Sequence, residues 1–211
     1  MPNLANKKTI AVDVDDVLAA NAAGFVKFSN QRWGTNLKPE DYHEHWAEMW
    51  GVDHEEMLER RGEIIKAKLF MSYDFHDDAK AALARLSKNY KLVILTSRTS
   101  DVSEDTVEWI KSYFGDLFSE MHFAGIWEKL NRNEAKVEDV IKVTKGEIAK
   151  QIGADYLIDD QPKHCLAAAE AGIKAILFGD YKWNRDTELV PNMVRAKNWQ
   201  AVLEYFDAAA G

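Results

Sequence analysis

Four short apolar runs punctuate the chain: Thr9–Val12, Lys91–Leu95, Tyr156–Ile158 and Ala175–Phe178, with Met121–Ala124 as a weaker fifth. Continuous apolar runs bounded by polar residues suit parallel strands covered on both faces. Between them the period changes to that of a helix. Residues 77–87 place Ala81, Leu83, Ala84 and Leu86 on one stripe, and 102–114 do the same with Val107, Ile110 and Phe114. In 145–152, Ile148 and Ile152 stand four apart, and 162–171 opens with Pro162 and stops before Gly172, the usual asymmetry of a helix. Strands alternating with helices predict a three-layer α/β fold with a parallel sheet and right-handed crossovers. One segment breaks the alternation. From about Ala20 to Phe75 there is no strand pattern, only helical patterns near 21–32 and 53–69 with a Trp-rich stretch between them. That is too long for a structureless loop. The expected organisation is therefore an α/β core of residues 1–19 and 76–211, with a small all-helical cap of residues 20–75 inserted after the first strand.

The polar residues that follow the apolar runs carry the chemistry. The first run ends in Asp13-Val14-Asp15-Asp16, the second in Thr96-Ser97-Arg98, and the third in Asp159-Asp160. In a parallel sheet these ends converge on one edge, outside which ligands bind. Clustered carboxylates at the end of buried strands are unfavourable unless a cation neutralises them. Oxygen-only ligands with places left for water and phosphate suit Mg²⁺. Asp13 and Asp15, two apart on a strand, point to one side. One can serve as nucleophile and the other as acid and base. Thr96 can hydrogen-bond phosphoryl oxygens, and a lysine can balance the remaining charge.

Composition narrows the class. The chain has 211 residues and a formal net charge of −8, which argues against a general grip on nucleic acid. Cys165 is the only cysteine, so neither an internal disulfide nor a cysteine-based zinc site is expected. No run of 18 or more apolar residues appears, and so no membrane span is expected. The N-terminal apolar run stops at an aspartate, a poor signal peptide; a cytoplasmic protein is the expectation. A homodimer is compatible with the sequence, which leaves the oligomeric state open.

The ordered set Asp13-Val14-Asp15-Asp16-Val17-Leu18, Thr96, Lys145 and Asp159-Asp160 resembles the haloacid dehalogenase-like phosphohydrolases. Their pattern is a first-strand D-x-D-x-(V/T)-(L/V), a Thr or Ser ending the second strand, a Lys near the start of a later helix, and a closing DD or GDxxxD. The resemblance implies a Rossmann-like core with its cap at the first insertion point. It implies that Asp13 forms an aspartyl-phosphate and that Asp15 is the general acid and then the base. Thr96 and Lys145 would bind and balance the phosphate. Asp13, the carbonyl of Asp15, and Asp159 or Asp160 would hold Mg²⁺. The strings DVDDVLA, ILTSR and YLIDDQP, with Trp183-Asn184-Arg185 after the last strand, are similar to the 5′(3′)-deoxyribonucleotidase-like branch, which acts on nucleoside monophosphates. Two positions depart from it. Asp16 stands where Gly is common, and Asn21 stands where an aromatic residue often stacks the base, which leaves Phe25 or Phe28 as replacements.

The expected activity is a Mg²⁺-dependent phosphomonoesterase acting on a small phosphorylated substrate, foremost a 5′-nucleotidase, with Ser97, Arg98, Asn21 and Phe25 as substrate contacts. The alternatives are a phosphatase of another ester such as a sugar phosphate, or a receiver-like or non-catalytic phosphate-binding module. Arg98 reads equally as a phosphate ligand or a helix cap. Trp33, Trp46 and Trp50 suit a core better than a base-stacking cage. His43, His45 and His54 do not have the spacing of a zinc site.

Overall fold

The computed structural model describes residues 7–125 and 145–209. Among these, six parallel strands form one sheet: β1 (Thr9–Val12), β2 (Lys91–Thr96), β3 (Glu120–Phe123), β4 (Ala154–Asp159), β5 (Lys174–Phe178) and β6 (Met193–Ala196), in the order β3-β2-β1-β4-β5-β6. The helices are α1 (Asn21–Trp33), α2 (Trp46–Trp50), α3 (His54–Lys66), α4 (Asp77–Leu86), α5 (Ser103–Phe114), α6 (Glu147–Gln151), α7 (Pro162–Glu170) and α8 (Trp199–Ala208).

Strand alternation divides the core into two layers. Ile10 and Val12 of β1 join Leu92 and Ile94 of β2 on one face, packed on Leu83, Trp109 and Trp199. Ala11, Val93 and Leu95 point to the other face, with Leu157, Cys165 and Ala168. Central β1 is buried throughout because it is covered on both sides and pairs with β2 and β4. All five predicted strands are present, β3 one residue earlier than its apolar run. The sixth, β6, is short, and Arg195 interrupts its apolar residues, so it does not stand out as a run. It is an edge strand paired only with β5, and its Arg195 donates to the backbone carbonyl of Asn184 (2.8 Å). Helix α8 follows it, with the Asn198 side chain accepting from the Ala201 amide.

Between β1 and β2 the chain leaves at Ala19 and returns at Phe75, where the two passes pair. The Ala20 amide donates to the Asp74 carbonyl (2.8 Å) and the His76 amide to that of Leu18 (2.9 Å). The intervening helices close on their own aromatic cluster. Phe25 stacks on Trp50 (5.5 Å between centroids, 12° between planes) and touches Trp46 and Tyr42, while the Trp50 indole donates to Ser29 (3.2 Å). The Arg60 guanidinium lies over the Trp33 ring (4.9 Å). No described helix is long and apolar enough to cross a membrane.

Candidate active site

The carboxyl ends of β1, β2 and β4 meet as the strand arithmetic requires. Asp13 directly follows β1 and its amide donates to the Ile158 carbonyl of β4 (2.9 Å). Lys145, fully buried just before α6, lies with Nζ 2.5 Å from Asp159 Oδ2 and 3.2 Å from Asp13 Oδ2. Lys136 and Lys142, its neighbours in sequence, fall outside the described residues. The lysine is thus shared unequally. Burial raises Asp13 to about 8, with the Asp159 and Asp15 charges adding to it and Lys145 only partly opposing it. Burial acts the same way on Asp159, but Lys145 and His164 overturn it and hold that carboxyl well below its usual range. Lys145 itself is raised, because the two carboxylates outweigh the effect of burial.

Asp15 lies across the site from this triad. Arg98 Nε approaches its two oxygens at 3.2 and 3.1 Å, and Nη2 reaches Oδ1 at 2.7 Å. The guanidinium is itself fixed: Nη1 donates to Thr106 Oγ1 (3.1 Å) and the Phe70 ring lies 4.9 Å away. Arg98 is therefore spent on Asp15 and a buried niche rather than lining the open cleft. It is a bidentate, preorganised pair. Thr96 is buried and its hydroxyl accepts from the Arg98 amide (3.2 Å). The hydroxyl that borders the cleft is that of Ser97, buried and without a hydrogen-bond partner among the described residues.

Asp16 has a structural task that its sequence position conceals. Its φ is +56°, in the left-handed region that glycine adopts freely and that Asp and Asn tolerate best among other residues. The aspartate adds a cap: its carboxylate accepts from the Ala22 amide in the first turn of α1 (2.9 and 3.2 Å) and from the Asn21 side chain (3.3 Å). Burial raises this carboxyl to about 7. At pH 5.5, where the wild-type group is protonated, Asp16→Asn is expected to exceed Asp16→Ala in stability by about 1–2 kcal/mol. Asn keeps both an acceptor for the Ala22 amide and tolerance of positive φ; urea denaturation of the two variants measures the difference.

These groups border a cleft lined by Asp13, Asp15, Asp16, Ser97, Asp160 and His164 on the sheet side and by Asn21, Tyr42 and Glu44 from the helical segment, with Gln161 and Lys163 between. Lys163 and Glu44 form an ion pair across it. Phe25 and Phe28 do not line it. Phe25 has no exposed surface and belongs to the aromatic cluster with Trp46 and Trp50. Asp159 is occupied by Lys145, the Gln161 amide and His164. Asp160 borders the cleft, its Oδ2 accepting from Gln161 Nε2 and the Trp183 indole, both at 2.8 Å. Sequence reasoning missed Tyr42, Glu44, Gln161, Lys163 and His164. For the last three a signal existed: they occupy the two positions flanking Pro162 and the next, directly after Asp159-Asp160 at the start of α7, where side chains lie back toward the strand end.

The donor set fits a divalent cation. Asp13, Asp15, Asp16, Asp159 and Asp160 are balanced by two buried cations, Lys145 and Arg98. Asp13 Oδ1 is buried with no hydrogen-bond partner among the described residues. Asp160 is pushed well above the ordinary carboxylate range, first by burial and then by the Asp159, Asp16 and Asp13 charges. Burial also pushes His164 down to about 4, so that its imidazole is neutral. An oxygen-rich, under-compensated, partly unpartnered cluster of this kind has the donor chemistry that a cation requires.

Comparisons with known proteins agree with this arrangement. Residues 7–139 match the family described as 5′ nucleotidase, deoxy (pyrimidine), cytosolic type C protein. A relative in Staphylococcus epidermidis, whose name assigns it provisionally to the 5′(3′)-deoxyribonucleotidases, is 28% identical over 207 residues, covering 96% of this chain and 97% of its own. Among solved structures, a haloacid dehalogenase-like hydrolase from Streptococcus pneumoniae has a TM-score of 0.67 at 16% identity, covering 95% of this chain and 98% of its own. A haloacid dehalogenase-type hydrolase from Bacillus subtilis, solved bound to magnesium, has a TM-score of 0.63 at 12% identity, covering 95% and 99%. With more than half its length matched and its strand-end carboxylates in place, this chain has the fold of the haloacid dehalogenase-like hydrolases, belongs to the 5′ nucleotidase, deoxy (pyrimidine), cytosolic type C protein family and is a phosphoric monoester hydrolase.

Proposed function

We propose that the chain is a Mg²⁺-dependent phosphatase of small phosphate monoesters, foremost nucleoside and deoxynucleoside monophosphates, working through an aspartyl-phosphate on Asp13. The observation that carries this is Asp13 itself. It is a buried carboxylate at the floor of the cleft, with one oxygen beside Lys145 and the other unpartnered among the described residues.

An Asp13 oxygen forms a bond to phosphorus as the ester P–O bond breaks, and Asp15 passes a proton to the departing oxygen. Water then attacks the phosphorus and gives its proton to Asp15, the Asp13–phosphorus link breaks, and inorganic phosphate leaves. Arg98 fixes the orientation of Asp15. The Ser97 hydroxyl is free to donate to a phosphoryl oxygen, with Thr96 behind it, and Lys145 balances charge on the nucleophile. Asp13, the carbonyl of Asp15 and Asp160 would hold Mg²⁺, with Asp159 anchoring Lys145. When bound, the cation offsets repulsion between the carboxylate and the phosphate oxygens.

Residues 20–75 act as a cap. They supply Asn21, Tyr42 and Glu44 to the cleft, and their two connections run side by side at Ala19 and Phe75. A covered cleft favours a small leaving group over a macromolecule. The family description and the names of the relatives favour a nucleoside as that group. A sugar phosphate is the second reading, favoured by a lining that holds no Phe or Trp among the described residues. A phosphate-release panel decides between them: nucleoside and deoxynucleoside monophosphates against sugar phosphates, each with Mg²⁺ and with chelator. Deoxynucleoside monophosphates are expected to lead, with activity abolished by EDTA and restored by Mg²⁺. Release that is insensitive to chelator, or none across the panel, would overturn the proposal; a lead by sugar phosphates would transfer it to the second reading.

A further inference from the structure

The loop that leaves β5 turns its side chains onto the acidic edge of the cleft. Trp183, half-buried in that loop, stands behind the cleft lining rather than in it. Its indole N–H donates to Asp160 Oδ2 (2.8 Å), the same oxygen that accepts from Gln161 Nε2 (2.8 Å). The indole ring is itself held. It stacks on Tyr181 (4.6 Å between centroids, 9° between planes) and meets Tyr42 edge-on (6.4 Å, 66°). Tyr181 is anchored in turn, its hydroxyl donating to the Asp16 backbone carbonyl (2.7 Å). Gly179 allows this ring to fold back over the loop: its φ is +86°, and a Cβ there would stand 2.2 Å from the Tyr181 ring. Fully buried Asn184 closes the loop. Its Nδ2 donates to the carbonyls of Asp160 (2.9 Å) and Phe178 (2.8 Å), and its Oδ1 accepts from the Tyr181 amide (3.1 Å).

The loop thus grips Asp160 twice, by its carbonyl through Asn184 and by its carboxylate through Trp183. Two N–H donors on one carboxylate oxygen fix the rotation of the group, while the Asn184 bond fixes the backbone beneath it. A half-buried indole that served packing alone could leave its N–H to water. Here it is aimed at a carboxylate that borders the cleft beside Asp13. We propose that Trp183 is a positioning residue, whose indole N–H holds the Asp160 carboxylate in the orientation in which it receives the divalent cation. Carboxylates that bind metals are oriented by hydrogen bonds from outside the coordination sphere, and losing such a partner typically weakens metal binding about 10–100-fold. This inference rests on the reading of Asp160 as a ligand of Mg²⁺ and adds to it the residue that sets the geometry of that ligand.

Trp183→Phe tests it, because the phenyl ring keeps the stack on Tyr181 and loses only the N–H. Mg²⁺ binding to metal-stripped protein, measured by calorimetry without substrate, is expected to weaken about tenfold or more in the variant. Phosphate release by the variant should need correspondingly more Mg²⁺. At saturating Mg²⁺ its kcat and its KM for substrate should return to within about threefold of wild type, whereas a damaged fold would lower kcat at every Mg²⁺ concentration. A second measurement needs no substitution. The Trp183 indole N–H of wild type, assigned in a ¹H–¹⁵N spectrum from its proximity to the Tyr181 ring, should move upfield as Mg²⁺ draws charge from Asp160. Equal Mg²⁺ affinity in wild type and variant overturns the assignment and leaves the phosphatase reading standing. So does an indole peak that stays in place while wild type binds Mg²⁺, or a kcat that excess Mg²⁺ does not restore. Failure of wild type to bind Mg²⁺ overturns both.

Discussion

Lys145→Ala is expected to cost about 3–5 kcal/mol of stability and to remove phosphatase activity at any substrate concentration. Nothing of this lysine reaches solvent, and its ammonium stands between Asp13 and Asp159. Truncation leaves Asp159 as a buried carboxylate whose ionisation Lys145 had stabilised, and removing one partner of a buried pair has a cost of this order. Lys145→Met preserves the volume and is expected to fare little better, since the loss is of charge rather than packing. Lys145→Arg does not rescue, because a planar fork cannot replace a compact ammonium in a fully enclosed site. The double variant Lys145→Met/Asp159→Asn separates the two roles. It removes both members of the tighter pair, so stability should recover by a large part of the loss, while activity should not, since Asp13 still lacks its cation. Urea denaturation of wild type, Lys145→Met, Asp159→Asn and the double variant measures the coupling. Recovery of activity in the double variant would show that Lys145 serves the fold and not the phosphate.

The strands and the first acidic cluster were legible because their signals are local. An apolar run that stops at Asp13 or at Asp159-Asp160 announces both a strand and its carboxyl end, and parallel topology does the rest. What was not legible depended on partners far away in sequence. Arg98 reads as a phosphate ligand in ILTSR, but it is committed to Asp15, 83 residues earlier, and to Thr106. Phe25 sits at a plausible distance after the nucleophile, but Trp46 and Trp50 claim it for the interior of the helical segment. Asp16 looked like surplus charge; its task emerges only from a left-handed φ and the direction of α1. The edge strand β6 was missed because it is four residues long and Arg195 interrupts its apolar residues.

Asp13→Asn is expected to lower phosphate release by about 10⁴-fold or more, because the amide cannot serve as the nucleophile and the remaining groups supply only binding and polarisation. Stability should move the other way, and this separates a lost nucleophile from a damaged fold. Burial and the neighbouring carboxylates raise Asp13 from 3.8 to about 8. Between those values the folded metal-free protein holds a proton on Asp13 that the unfolded chain gives up. Stability from this group is therefore lost as pH rises from about 4 to about 8. Asp13→Asn carries no such proton, so metal-free wild type should lose stability relative to the variant across that range. Mg²⁺ should stabilise wild type and do so much less for the variant, whose amide is the poorer ligand. Thermal unfolding of both proteins at pH 5 and pH 8, with and without Mg²⁺, reads all three effects. An inactive variant that is less stable than wild type at pH 8 without metal would mean that Asp13 organises the strand end rather than attacking phosphorus. A variant of full activity would exclude it as the nucleophile.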